Sequence, residues 1–330
     1  MATQYGLETT GSQLVRELAS HIRGKVVLTT GVSPRSLGAE FVLAIAAAEP
    51  ALLILAGRDL VKVQQTAQAL TEAHPSIPTR LLRLDLGSLA AVREAAAELM
   101  ADDTVPAVDV LVNSAGIMAL GRYETTPEGL ERQFGTNHLG HFLFTNLIMN
   151  KLLAGGPGAR VVCVSSSGHR LSPIRWDDLD FHGGNNYNKW HAYGQSKTAN
   201  MLMAVSLAEK LGNKGLRAFS LHPGVIYTNL GDHVDWEGGD YAALQMADRA
   251  LGNKEGWDET FQFKTTDQGI ATHVFAAFHP SLADHNGVYL IDSQIADPWI
   301  ETVKPWATSP VEAERLWKLS EKLVGQEFNY

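Results

Sequence analysis

Along the first two-thirds of the chain, short apolar runs rich in β-branched residues alternate with longer stretches whose apolar positions recur every three or four residues. A short run without polar alternation suits a strand covered on both faces, and the wider spacing suits a helix with one buried stripe. Strands are therefore predicted at 25–30 (KVVLTT), 51–56 (ALLILA), 80–84, 109–113 (DVLVN), 160–165 (RVVCVS), 217–221 (RAFSL) and 287–291 (GVYLI). Segments 39–48, 60–74 and 88–100 read as helices, the second ending before Pro75. Strands alternating with helices imply right-handed crossovers and a parallel sheet covered on both faces. No internal repeat or linker interrupts the pattern, so one doubly wound α/β domain is predicted over residues 1–330, with its core at about 24–292. Residues 229–268 break the rhythm, being polar, Gly-rich and helical only in part. They follow the sixth strand, where ligands of such sheets sit, and are expected to form a mobile, partly apolar cover over a substrate. Residues 298–330 are a helical extension holding Trp299, Trp306 and Trp317.

Composition excludes several function classes. Hydrophobic residues make up 45% of the 330, enough for a large core, and the formal net charge is -9. An acidic balance without a dense Lys/Arg run argues against nucleic acid as a partner. Cys163 is the single cysteine, which excludes an intrachain disulfide and fits a reducing compartment. The stretch 1–21 lacks a signal-peptide pattern. The longest apolar stretch, 41–57, is broken by Glu49 and Pro50, whereas a membrane span needs about 20 apolar residues. A cytoplasmic protein is the expectation.

The turn after the first strand reads Thr30-Gly31-Val32-Ser33-Pro34-Arg35-Ser36-Leu37-Gly38. It opens a helix N-terminus, where backbone amides and the helix dipole favour a pyrophosphate. Gly31 allows the tight turn and Gly38 a close helix–strand approach, as in a Rossmann-type dinucleotide fold. Ser36 stands where the middle glycine is expected, and the turn is one residue longer than the common form. The second strand ends in Gly57-Arg58-Asp59, beside the expected adenosine ribose. A guanidinium there suits the 2′-phosphate of NADP(H), and Arg35 offers a second one from the phosphate turn.

Tyr193 and Lys197 are four residues apart and share a face of any helix that holds them. A free phenol has a pKa of about 10, and a neighbouring ammonium is expected to lower it toward the working range. Three further motifs lie at predicted strand ends: Asn113-Ser114-Ala115-Gly116, Ser165-Ser166-Ser167-Gly168 and Pro223-Gly224-Val225-Ile226-Tyr227-Thr228. Asn137 sits between the first two, in Thr-Asn-His-Leu-Gly-His. This ordered set resembles the short-chain dehydrogenase/reductase family, motif by motif over residues 24–228 and more loosely to 290.

The resemblance implies a seven-stranded parallel sheet and a hydride transfer between NADP(H) and a ketone, aldehyde or secondary alcohol of a lipophilic small molecule. It makes Tyr193 the general acid/base and Lys197 the residue that binds the nicotinamide ribose and lowers the tyrosine pKa. Ser166 orients the substrate oxygen, with Ser165 the nearest competitor, and Asn137 holds a relay water. The cofactor wall comprises Gly31, Ser33, Arg35, Ser36, Leu37, Gly38, Arg58, Asn113, Ala115 and Gly116, with Asp85 and Leu86 at the adenine end. Pro223, Gly224, Ile226 and Thr228 complete it, Thr228 near the carboxamide. Relatives often pair through the helices that here hold Asn137 and Tyr193, so a homodimer is admitted. The stretch between Ser166 and Tyr193 is longer than usual. It resembles the retinol-dehydrogenase and WW-domain-oxidoreductase-like branch, and Thr-Gly-Val-Ser-Pro resembles fungal members of it.

Two other readings stay open: a non-catalytic NADP-binding sensor or scaffold, and a redox-neutral epimerase or dehydratase using the same Tyr/Lys pair. Other groups are set aside. His138 and His141 lack a third metal ligand, so no metal is expected. Asp177 and Asp178 read as a solvated loop, and Cys163 as an inert strand residue. Trp236 and Trp257 are candidates for an apolar substrate wall.

Overall fold

Apolar strands buried on both faces must find their hydrogen bonds in one another, and a parallel stack supplies them. The structure, a computed structural model, describes residues 5–257 and 262–330. Its strands are β1 (Val26–Thr30), β2 (Leu52–Gly57), β3 (Thr79–Arg83), β4 (Val110–Asn113), β5 (Arg160–Val164) and β6 (Arg217–His222). The shorter β7 (Val225–Ile226), β8 (Phe263–Lys264), β9 (Tyr289–Ile291) and β10 (Gln294–Ile295) follow. The main sheet runs β10-β9-β6-β5-β4-β1-β2-β3 in space. The chain order reverses where β1 lies between β2 and β4, and a crevice opens beyond the strand ends at such a switch point.

The seven expected strands are all present and pair in parallel. An eighth, β10, corrects the expectation of a seven-stranded sheet: it returns antiparallel to β9. The two turn residues, Asp292 and Ser293, both have positive φ, 51° and 60°, which is the two-residue hairpin geometry that matches strand twist. Neither is glycine, so the usual sequence signal for that hairpin is missing.

Helices cover both faces. On one side lie Leu89–Met100, Gly140–Leu147 and Lys189–Leu211, and on the other Leu37–Ala46, Leu60–Ala73 and Thr266–Phe278. The helix at Gly11–Glu17, which the apolar pattern did not reveal, packs on Thr266–Phe278. The predicted cover is partly helical, at Gly239–Ala250. Its last residues belong instead to Thr266–Phe278, which Thr265 and Gln268 start with a reciprocal capping box. Residues 258–261 of the cover lie outside the described residues.

The tail forms the helix Pro310–Val324, capped by Ser309 and closed by Gly325 at φ 68°. It buries Trp317 edge-on against Phe142, with ring centroids 4.9 Å apart. Ser320 meets His138 Nε2 at 2.8 Å, and Tyr330 donates to Asn146 Oδ1 at 2.7 Å. The tail thus lies across the helices that hold Asn137 and Tyr193. Among the described residues no helix is long and apolar enough to cross a membrane.

Candidate active site

The phosphate turn shows why its glycines are needed. Gly31 has φ 77°, and a Cβ there would lie 2.6 Å from Ala115 Cα; one on Gly38 would lie 2.7 Å from Gly31 O. Ser36, in place of the middle glycine, is the helix N-cap: its hydroxyl accepts from Ala39 N at 3.1 Å and donates to Gly31 O at 2.7 Å. The extra residue of the turn is absorbed at Arg35, whose φ of 65° is left-handed, at a cost of roughly 1–2 kcal/mol for an L residue. With Ala39 N on the Ser36 side chain and Glu40 N on Ser36 O, the Leu37 and Gly38 amides lie outside the helix's own bonds. Both residues line a cavity of about 690 Å3 that runs from this turn to the helix Lys189–Leu211.

At one end of the cavity stand Arg35, Arg58 and Lys62. Asp59 lies beside them, but its carboxylate caps the next helix, accepting from Val61 N at 2.9 Å and Lys62 N at 3.4 Å. Arg35 pairs with Asp232 at 3.3 Å, both side chains more than half exposed, so that pair is worth little in water. Asp85, Leu86, Ser33, Ala115 and Gly116 line the same cavity, as do Pro223, Gly224, Ile226 and Thr228. Asp85 Oδ1 accepts from Gly87 N at 3.0 Å, which fixes its turn.

At the other end Tyr193, Lys197 and Ser166 converge. The helix that carries Tyr193 and Lys197 spans 23 residues, starts on the Asn188 cap and is buried on most of its surface. Ser165 spends its hydroxyl on Lys197 O at 2.7 Å, whereas Ser166 accepts from Gly168 N at 3.0 Å and lines the cavity beside Tyr193. Lys197 Nζ donates to Val164 O at 3.2 Å and lies 5.5 Å from the Tyr193 ring centroid. Burial pushes the Tyr193 phenol up to about 12, against a smaller downward pull from the Ser166 side chain, and pushes Lys197 down to about 8. Removal from water disfavours both charged forms, and it is the largest cause of each shift.

Two expected residues lie behind the cavity wall. Asn137 is fully buried in a π-helical segment, Gly135–Leu139, a form often found at functional sites. Its side chain clamps Ile117, accepting from Ile117 N at 2.8 Å and donating to Ile117 O at 2.9 Å, and it donates to Ser196 Oγ at 2.9 Å. Asn113 donates to Thr145 Oγ1 at 3.0 Å and does not line the cavity.

The sequence reading passed over Lys62, Arg170, His222, Met118, Trp190 and Leu244, which also line the cavity. Lys62 had a signal, in the first turn of the helix that follows Arg58. The others arrive through packing that spacing does not encode. Arg170 is held by Asp248 through two 2.8 Å bonds, both side chains buried. Of the tryptophans in the cover, Trp236 lines the cavity and Trp257 does not. Asp178 is bound up in the inserted loop by Arg175, His182 N and Asn186. Cys163 is buried, its thiol pushed up to about 12.

A family model described as enoyl-(acyl carrier protein) reductase matches residues 31–254. The chain is 37% identical over 312 residues to short-chain dehydrogenase/reductase prx1 of Penicillium rubens, covering 92% of this chain and 86% of the relative. It is 34% identical over 317 residues to retinol dehydrogenase 14 of Mus musculus, covering 92% and 87%. Among solved structures, an uncharacterised protein of Mycobacterium paratuberculosis superposes with a TM-score of 0.68 at 30% identity, covering 94% and 98% of the two chains. Likeness over nearly the whole length, with the parallel sheet and the motifs at its strand ends, places the chain in the short-chain dehydrogenase/reductase family of oxidoreductases.

Proposed function

We propose that this protein transfers hydride between NADP(H) and the carbonyl or secondary alcohol of a lipophilic small molecule. The observation that carries the reading is one cavity with Ser166, Tyr193 and Lys197 at one end and Arg35, Arg58 and Lys62 at the other. The residues fit the cofactor. Two glycines clear backbone space at the turn, the Leu37 and Gly38 amides outside the helix's own bonds would take a pyrophosphate, and three cations suit a 2′-phosphate. Asp59, the acidic residue beside them, uses Oδ1 as a helix cap, accepting from Val61 N and Lys62 N.

When bound, the nicotinamide supplies or accepts the hydride. The Ser166 and Tyr193 hydroxyls hydrogen-bond the substrate oxygen. In the reductive direction Tyr193 gives that oxygen its phenolic proton, and burial keeps the phenol protonated at neutral pH. Lys197 would hold the ribose hydroxyls, and Asn137 keeps the Ile117 wall against the Tyr193 helix. Met118, Leu171, Trp190, Val234, Trp236 and Leu244 give the substrate side an apolar lining, which favours lipophilic compounds.

The test is NADPH oxidation against a panel of aromatic, polyketide-like, steroid, retinoid and sugar carbonyls. The reading expects turnover of apolar carbonyls and little of sugars. Tight NADPH binding without turnover of any member would contradict it.

A further inference from the structure

We propose that His141 is a positioning residue whose two ring nitrogens hold the phosphate turn, the turn after β4 and the Asn137 helix in one register. The inference rests on reading the cavity as the NADP(H) site. His141 does not line that cavity and is 1% exposed, so it acts only through its neighbours.

The hydrogen bonds fix the tautomer. His141 Nδ1 lies 2.9 Å from Asn137 O. A carbonyl only accepts, so Nδ1 carries the proton and Nε2 is left as an acceptor. The group 2.9 Å from Nε2 is the Thr30 hydroxyl, which must therefore donate. The lone pairs of Thr30 Oγ1 accept Ser114 N and Ala115 N, each at 3.0 Å. Carbonyl, imidazole, hydroxyl and two amides form a closed chain in which every ring nitrogen and every bond of the hydroxyl is used. Burial and the Lys197 charge push the imidazole down to about 4, which keeps it in the neutral form the chain requires.

Each end of this chain reaches a wall of the cavity. Thr30 begins the phosphate turn, and Ala115 stands where a Cβ on Gly31 would fall. Asn137 clamps Ile117 and donates to Ser196, on the same helix as Tyr193 and Lys197. His141 couples the two. Phenylalanine at this position would fill the space but leave the Thr30 hydroxyl without its acceptor in a dry site.

A double-mutant cycle tests the coupling. NADPH dissociation constants are measured by fluorescence titration for the wild type, Thr30→Val, His141→Phe and the double variant, with unfolding midpoints alongside. Each single variant should weaken NADPH about tenfold. The double variant should bind within about twofold of the weaker single, because both substitutions break the same bond. The KM for the carbonyl substrate should stay unchanged. A merely structural histidine would lower the unfolding midpoint and leave NADPH affinity of the folded protein alone.

His141→Asn guards against misfolding. One helical turn further on, Asn146 donates to Phe142 O at 2.8 Å, so asparagine can keep the bond to Asn137 O while losing the one to Thr30. It should weaken NADPH as Thr30→Val does. Losses that multiply in the double variant, or unchanged affinity in both His141 variants, overturn the inference alone. A wild type that does not bind NADPH overturns the cofactor reading and this inference with it.

Discussion

At the scale of single residues, burial sets the chemistry. Lys197 is pushed down to about 8, so its ammonium is intact below that pH and lost above it. If the cation holds the cofactor ribose, kcat/KM for carbonyl reduction should be level toward neutrality and fall as pH rises through about 8. In Lys197→Arg the charge persists to far higher pH, so any remaining activity should lose that basic limb. A limb at the same pH in the arginine variant assigns it to another group. At the opposite end of the cavity, Arg58→Ala should weaken NADPH by on the order of tenfold or more and NADH little, since only NADPH brings the phosphate charge. Equal losses for both cofactors would count against the assignment. Ser36 shows how a residue can depart from a motif and keep its work: the missing glycine reads as a gap in the sequence, yet its replacement caps the helix and ties the turn to Gly31. Tyr193 shows the opposite case, because spacing announces a Tyr–Lys pair but says nothing of the burial that decides their protonation.

At the scale of elements, the tail and the cover depend on different anchors. Trp317 is buried against Phe142, and Trp317→Ala should cost about 3–5 kcal/mol, the range for emptying a large core site. Chemical denaturation would measure it; a loss under 1 kcal/mol would mean the tail is not part of the core. The cover is fixed at Asp248 by buried Arg170 and Asn253, and near its end by the Lys264–Asp292 pair. The polar contacts of its start to the rest of the chain are exposed, Arg35–Asp232, Asn229 to Pro34 O and His233 to Met118 O, with Val234 packed in the apolar cluster beneath. Hydrogen exchange should therefore slow at 229–236 on adding NADPH and substrate, while 244–253 is protected already. Protection at 229–236 that does not change would show that the start of the cover is not mobile. The seven parallel strands of the main sheet were legible because short continuous apolar runs have few alternatives. The π segment at 135–139, the β9–β10 hairpin and the helix at 11–17 were not: each is decided by packing or by left-handed residues without a local glycine.

At the scale of the whole molecule, the sheet order converts a linear series of motifs into a site. Thr30 and Lys197 are far apart in sequence, yet the ends of β1, β4, β5 and β6 open on one crevice. Motif order made that convergence legible, since the motifs after β1, β4, β5 and β6 each sit at a strand end. The apolar substrate wall was less so, because Trp190 and Leu244 come together only through the folding of the cover over the inserted loop. The central claim is that this crevice performs hydride transfer with Tyr193 as the proton donor, and Tyr193→Phe tests it most directly. The ring stays and only the hydroxyl goes, so fold and NADPH affinity should persist. Turnover of the best carbonyl from the panel should fall by at least roughly 10²-fold, the lower range for loss of a general acid. Retention of near-native turnover, with NADPH bound as tightly as in the wild type, would contradict the account.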